Sequence, residues 1–356
     1  MPKRLRPLSG LDAGFLYLEA AGTPMHVGSV MLLHAPRQKR YEFHRALVAH
    51  IRERLPRAAA LRRVLREAPL DLGHPMWGEA TALDLDAHIS KLRLPAPGTL
   101  TQLWRLVADL HAVPLPRDRP LWQFVVIEGL ASGELVLYSK IHHALLDGQG
   151  GAALAMALLD VQPTTAKSAP AATQVDPVDS PPPPRRRDLA RTAIGASVQQ
   201  FAKLVRELPM TLKLAGAATR DASSLLGRLR DSVMLAPRTP FNAQVGPRRS
   251  YAVASLPLDE VKQVARHFGA SLNDVVLALC AATLRDYLLR RKALPQRALI
   301  AAMPVSLRAA GDTEVNNQCR WCNARCRPTS PIRSSVCARS RPRPASSNAR
   351  SRVFVV

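Results

Sequence analysis

Lys140–Gly151 reads KIHHALLDGQGG, two adjacent histidines, an aspartate four residues after the second, and three glycines within four positions. An imidazole, with its ordinary pKa of ~6.5, can take up and return a proton near neutral pH. Neighbouring residues at the end of a strand point opposite ways, so one of His142 and His143 can face a cavity while the other packs inward. Asp147 is close enough in the turn to anchor a charged partner and fix the loop. Gly148, Gly150 and Gly151 permit close backbone approach where the loop enters a helix. The pattern suits a pre-organised general base. Three rivals stand beside it. For a metal site, HHxxxD lacks the same-face spacing of HExxH and no third ligand stands out. For a serine nucleophile, no G-x-S-x-G elbow is present. A buried structural histidine is the third, and the residues alone leave it open beside the base.

The elements that must hold this stretch are readable around it. Glu134–Ile141 reads as a strand delivering the histidines, and Gln123–Glu128 as its partner across the turn-like GLASG. Val27–His34, apolar and β-branched, reads as another buried strand, and Gly150–Leu159 as the helix that leaves the motif. Phe43, Leu47, Ile51 and Leu55 fall on one face of a helix over Glu42–Leu55, and Thr101–His111 reads as a second helix.

Composition divides the chain. Residues 1–160 read as one folded domain. Residues 161–248 begin with a Pro-rich, polyproline-like linker ending in PPPPRRR. Within them Arg191–Leu208 gathers Ile194, Val198, Phe201, Leu204, Val205 and Leu208 on one helical face, with Lys203 and Arg206 away from it, a pattern suited to a lipid surface or to the protein's own core. Residues 249–318 resume folded patterning. Ser250–Leu256 alternates like a strand, Leu258–Phe268 has helical spacing, Ser271–Arg291 reads as a long helix capped by Ser271 with Cys280 inside it and buried, and Ala298–Val305 reads as a strand. Residues 319–356 then change language. They hold nine arginines and no Leu, Gly, Lys, Asp or Glu, in no periodic order. Such residues follow from a GC-rich gene read in a shifted frame after Gln318, and the segment is expected to be disordered. Its Cys319-x2-Cys322 spacing, a zinc pattern elsewhere, carries little weight in that setting.

Charge narrows the partners. The chain has 356 residues and a formal net charge of +23, of which the last segment supplies nine. No helix-turn-helix, zinc-finger or RNP pattern accompanies the charge and aromatics are few, so nucleic acid is not expected as a partner. Acidic lipid head groups or a phosphorylated co-substrate fit better. No apolar run reaches the ~18 residues of a membrane helix, and the basic N-terminus lacks the apolar core of a secretory signal, which reads as cytoplasmic. Nothing in the pattern specifies an oligomeric state.

His142-His143-Ala-Leu-Leu-Asp147-Gly148 resembles the HHxxxDG motif of the coenzyme A-dependent acyltransferase superfamily. Leu8–Ala13 (LSGLDA) and Pro24–Gly28 (PMHVG) are similar to the opening of bacterial wax ester synthase/diacylglycerol acyltransferases. Pro120-Leu121-Trp122 resembles that family's PLW motif, and Ser271–Val276, with Asn273 and Asp274, its ND motif. The resemblance implies an α/β fold of two chloramphenicol acetyltransferase-like sandwich domains, the second incomplete here. It implies transfer of a long-chain acyl group from acyl-CoA to diacylglycerol or a fatty alcohol, without metal, cofactor or covalent intermediate, at a lipid droplet or inner membrane surface. In it His143 is the general base, His142 orients the site, Asp147 and Gly148 shape the loop, and Asn273 lies near the reaction centre. Pro120, Leu121, Trp122 and Asp274 are expected at the substrate. The alternatives are an inactive truncated product that only binds lipid surfaces, or acyl transfer to a secondary metabolite.

Overall fold

The computed structural model describes residues 5–34, 42–68, 73–80, 82–146, 148–160, 189, 237–306 and 319–326. They fall into two compact units. The first takes the described residues of Met1–Met210 and Gly246–Tyr251, and the second those of Thr211–Val245, Ala252–Leu307 and Cys319–Val356.

The first unit is built on a four-stranded sheet of β2 (His26–Leu33), β5 (Ile89–Arg93), β6 (Trp122–Glu128) and β7 (Leu135–His142), in the order β2-β7-β6-β5. β7 runs antiparallel to both neighbours, and β5 runs parallel to β6. The period of two along β6 divides its side chains between two cores. Val125 and Ile127 join Val136 and Tyr138 against Leu103 and Val107 of α3 (Leu100–Ala112). Trp122, Phe124 and Val126 face the other way, onto α1 (Gly10–Leu18), α2 (Phe43–Arg54) and α4 (Gly148–Leu158). Sheet and helices thus form a layered α/β sandwich with the histidine strand at its centre. A small antiparallel sheet of β1 (Arg6–Pro7), β4 (Met76–Glu79) and β3 (Arg63–Arg66) lies in the same unit.

The helix starts obey capping chemistry. The Ser9 hydroxyl accepts the Asp12 amide at 3.1 Å to open α1. Thr99 and Gln102 close a reciprocal capping box on α3.

In the second unit α5 (Leu258–His267) and α6 (Leu272–Arg290) meet at 99°, and β8 (Leu299–Ser306) pairs antiparallel with β9 (Cys319–Cys326). Ser271 and Asp274 form the capping box of α6. No single helix among the described residues is long and apolar enough to cross a membrane.

Three expectations are corrected. Ser250–Leu256 forms no strand despite its alternation. Arg249 donates to the Gly22 carbonyl at 2.6 Å and Tyr251 packs on Trp104, so this segment is held by side chains and no strand ladders with it. Cys280 is exposed, because the apolar residues of α6 are spread around the helix and only Val275 and Leu288 are fully buried. Cys319–Cys326 is a strand where disorder was expected, since ladder hydrogen bonds with β8 use main chain and need no apolar period. Residues 327–356 and Arg191–Leu208 lie outside the described residues.

Candidate active site

His142 is the last residue of β7 and sits opposite His26 of β2 in the antiparallel register. It is 1% exposed. Its amide donates to the Leu121 carbonyl at 2.9 Å, and its Nδ1 accepts the Ala144 amide at 3.0 Å. A nitrogen that accepts an N–H carries no proton of its own, so the ring proton of His142 is on Nε2. Nε2 faces Oε1 of Glu19 at 3.4 Å, within electrostatic reach but without hydrogen-bond geometry.

His143 turns the other way, as the strand geometry requires. It is half-buried, its amide donates to the Met25 carbonyl at 2.8 Å, and its ring stacks on Phe15 with centroids 4.4 Å apart and planes 11° apart. The pair divides into one sealed and one reachable imidazole, with α1 and the turn before β2 gripping both.

Glu19 follows the last turn of α1, and its side chain is 6% exposed. Oε1 also accepts the Met25 amide at 3.1 Å, while Oε2 accepts Arg117 Nη2 at 3.0 Å. Burial pushes the carboxyl upward, but the His142 contact, the Met25 amide and the Arg117 guanidinium together outweigh it and bring it down to about 2. The residues alone had not singled out Glu19, Arg117 or Phe15. A signal was present, because Glu19 is the one acid in Phe15–Met25, between the LSGLDA and PMHVG segments.

A second polar cluster lies against α3. Lys140 is 2% exposed and its Nζ donates to the Leu110 and Val113 carbonyls at 2.8 and 3.0 Å. His26 Nε2 donates to the His111 carbonyl at 2.7 Å, and His111 Nδ1 and the Tyr138 hydroxyl are 2.9 Å apart. Burial lowers His26 to about 4 and Lys140 to about 8.

The other expected site residues are placed as follows. Pro120, Leu121 and Trp122 are all buried. The Trp122 indole donates to the Leu61 carbonyl at 2.8 Å and its ring stacks on His88, 4.3 Å between centroids. The side chains of Leu121 and Trp122 belong to the core, and the Leu121 carbonyl pins the amide of His142. Gly148 is the first residue of α4, and Asp147 lies outside the described residues. Asn273 and Asp274 occupy the first turn of α6 in the other unit, where the Asp274 carboxylate accepts both the amide and the hydroxyl of Ser271. Among the described residues no group of three or more His, Cys, Asp or Glu is placed to hold a metal ion.

Comparison with known proteins places the chain in a family. The wax ester synthase/diacylglycerol acyltransferase catalytic domain matches residues 8–276. A Mycobacterium tuberculosis protein named a probable diacylglycerol O-acyltransferase is 36% identical over 310 residues, 85% of this chain and 64% of its own length. The chain therefore spans somewhat less than two thirds of that relative. The solved wax ester synthase/diacylglycerol acyltransferase of Marinobacter aquaeolei VT8 is 30% identical, with a TM-score of 0.58 over 84% of this chain and 65% of that one. A condensation domain of the calcium-dependent antibiotic synthetase, at 16% identity and a TM-score of 0.53, shares the fold. With its histidine strand, its PMHVG turn and most of its length matched, the chain belongs to the wax ester synthase/diacylglycerol acyltransferase catalytic domain family.

Proposed function

We propose that this chain is an O-acyltransferase that moves a long-chain acyl group from acyl-CoA to diacylglycerol or a fatty alcohol. The observation that carries the reading is the divided histidine pair: His143 half-buried and held by Phe15 and Met25, His142 sealed behind it. His143 takes the proton from the acceptor hydroxyl. The oxygen attacks the thioester carbon, and the tetrahedral oxyanion collapses with loss of CoA thiolate, which recovers the proton from the imidazolium. The acyl group passes directly from sulfur to oxygen, so no covalent enzyme intermediate enters. His142 orients the strand end, and Asp147 and Gly148 set the loop that follows. The chain's positive charge favours work at an acidic lipid surface, where both substrates partition.

The test is thiol release from palmitoyl-CoA by the purified protein with diacylglycerol or hexadecanol, with His143→Ala alongside. Acceptor-dependent release should fall by roughly 10²- to 10⁴-fold in the variant, the worth of a general base. Equal release by a folded His143→Ala protein would remove His143 from the chemistry.

A further inference from the structure

Glu19 lies where three segments of the site converge. Its carboxylate meets the Met25 amide from the turn before β2, the Arg117 guanidinium from the loop before β6, and the His142 ring at the end of β7. Arg117 in addition donates to the Leu16 carbonyl at 2.8 Å, so it caps the last turn of α1 without help from Glu19. A carboxylate needed only for that cap would sit at the surface beside an arginine that is 49% exposed; this one is turned inward and 6% exposed. Met25 is the shared link. Its amide donates to Glu19, and its carbonyl accepts the amide of His143. One carboxylate therefore reaches both histidines, one through its ring and the other through the main chain.

We infer that Glu19, held by Arg117, is a positioning residue for the acyl transfer. It fixes His142 as the Nε2–H tautomer and sets the main chain that carries His143. The contact is to the first histidine, so Glu19 does not act as the acid partner of the base itself. The Ala144 amide on Nδ1 and the carboxylate at Nε2 select one tautomer from opposite edges of the ring. With Glu19 gone, only the Ala144 amide makes that choice, the Met25 amide is left with no acceptor, and the turn that grips His143 loosens. Displacements of about 1 Å at a positioning group can cost about 10²-fold in rate.

This inference rests on the acyl-transfer reading for its kinetics, so its test carries a second readout. Protein labelled with ¹⁵N-histidine reports the tautomer of each ring through its nitrogen shifts, and His142→Asn assigns the His142 signals. The full chain should show His142 as Nε2–H. In Glu19→Ala both tautomers should appear, with kcat for palmitoyl-CoA and hexadecanol down 10- to 100-fold and KM within about threefold. Glu19→Gln, whose side-chain carbonyl can take the same two donors, should recover at least tenfold of the lost kcat and the single tautomer. Two results overturn the inference: an Nδ1–H tautomer at His142 in the unaltered protein, which needs no variant to fold, or a folded Glu19→Ala with one tautomer and unchanged kcat. A wild-type chain that releases no thiol while its His142 tautomer still depends on Glu19 would keep the positioning role and sink the acyl-transfer reading instead.

Discussion

β7 carries two buried polar clusters only two residues apart, and they meet the cost of burial in opposite ways. At the strand's end Glu19 stays ionised, because two donors, the Met25 amide and Arg117, and the nearby His142 ring converge on it and hold it near 2. On the α3 side the hydrogen bonds of His26, His111, Tyr138 and Lys140 run to main-chain carbonyls and to one another. There burial has its way, lowering His26, His111 and Lys140 and raising Tyr138. The Lys140 ammonium meets two main-chain carbonyls at the end of α3, where the helix dipole favours a cation. An isolated buried charge is expensive, and paired groups persist where they are used. On the proposed acyl-transfer reading, the paired end serves the chemistry and the α3 side the scaffold.

The widest break between the clusters should be their response to acid. His26, lowered from 6.5 to about 4, binds fewer protons folded than unfolded between those values. Its contribution is therefore whole above pH 6.5 and is lost as pH falls towards 4, at roughly 3 kcal/mol. His111 and His88 shift in the same direction and add to the loss. Glu19, lowered from 4.5 to about 2, keeps its contribution above pH 4.5 and loses it only between 4.5 and 2. Urea unfolding from pH 8 down to 3 should therefore show two steps. His26→Gln should shrink the upper one and leave the lower, whereas Glu19→Gln should do the reverse. A single step centred on the ordinary carboxylate range would contradict the division.

Lys140→Met comes next in size. It keeps the aliphatic stem but strips the Leu110 and Val113 carbonyls of their donor, at about 2 kcal/mol, since unsatisfied buried acceptors outweigh the relief of removing a buried ammonium. The kcat of the protein that remains folded should hold within about twofold. A loss of kcat matching that of Glu19→Ala would place Lys140 in the site and erase the contrast.

Much of this was legible in the residues. Short apolar, β-branched runs and a turn signal located β2, β6 and β7, and helical spacing located α2. Illegible features depended on partners distant in sequence. Ser250–Leu256 alternates like a strand, yet a strand needs a ladder and none is offered to it among the described residues. β5 is a short strand whose place comes from parallel pairing with β6 across α3. The burial of the PLW tryptophan also depends on distant partners, since its indole donates to Leu61 and stacks on His88. Glu19 is one acid in an apolar stretch, and its meaning comes from Arg117, 98 residues away in the chain.

Gly28 supplies the smallest and most local test of the comparison. It belongs to the same PMHVG segment as Met25, which grips His143, yet it faces the other cluster. A Cβ built there would lie 3.0 Å from His111 Nδ1, 3.0 Å from Tyr138 Cε2 and 3.2 Å from the Tyr138 hydroxyl. Tyr138 is 1% exposed and has nowhere to go, so His111 must yield and the hydrogen bond between them stretches. Gly28→Ala should then cost about 1 kcal/mol, the low end of overpacking, because only a single methyl must be housed. Since the strain falls on the α3 side, urea unfolding should register it while the His142 tautomer and the kcat of the folded protein stay put. Were kcat to fall with stability only modestly changed, the two ends of PMHVG would be mechanically coupled, and the α3 side would have to be counted within the active site after all.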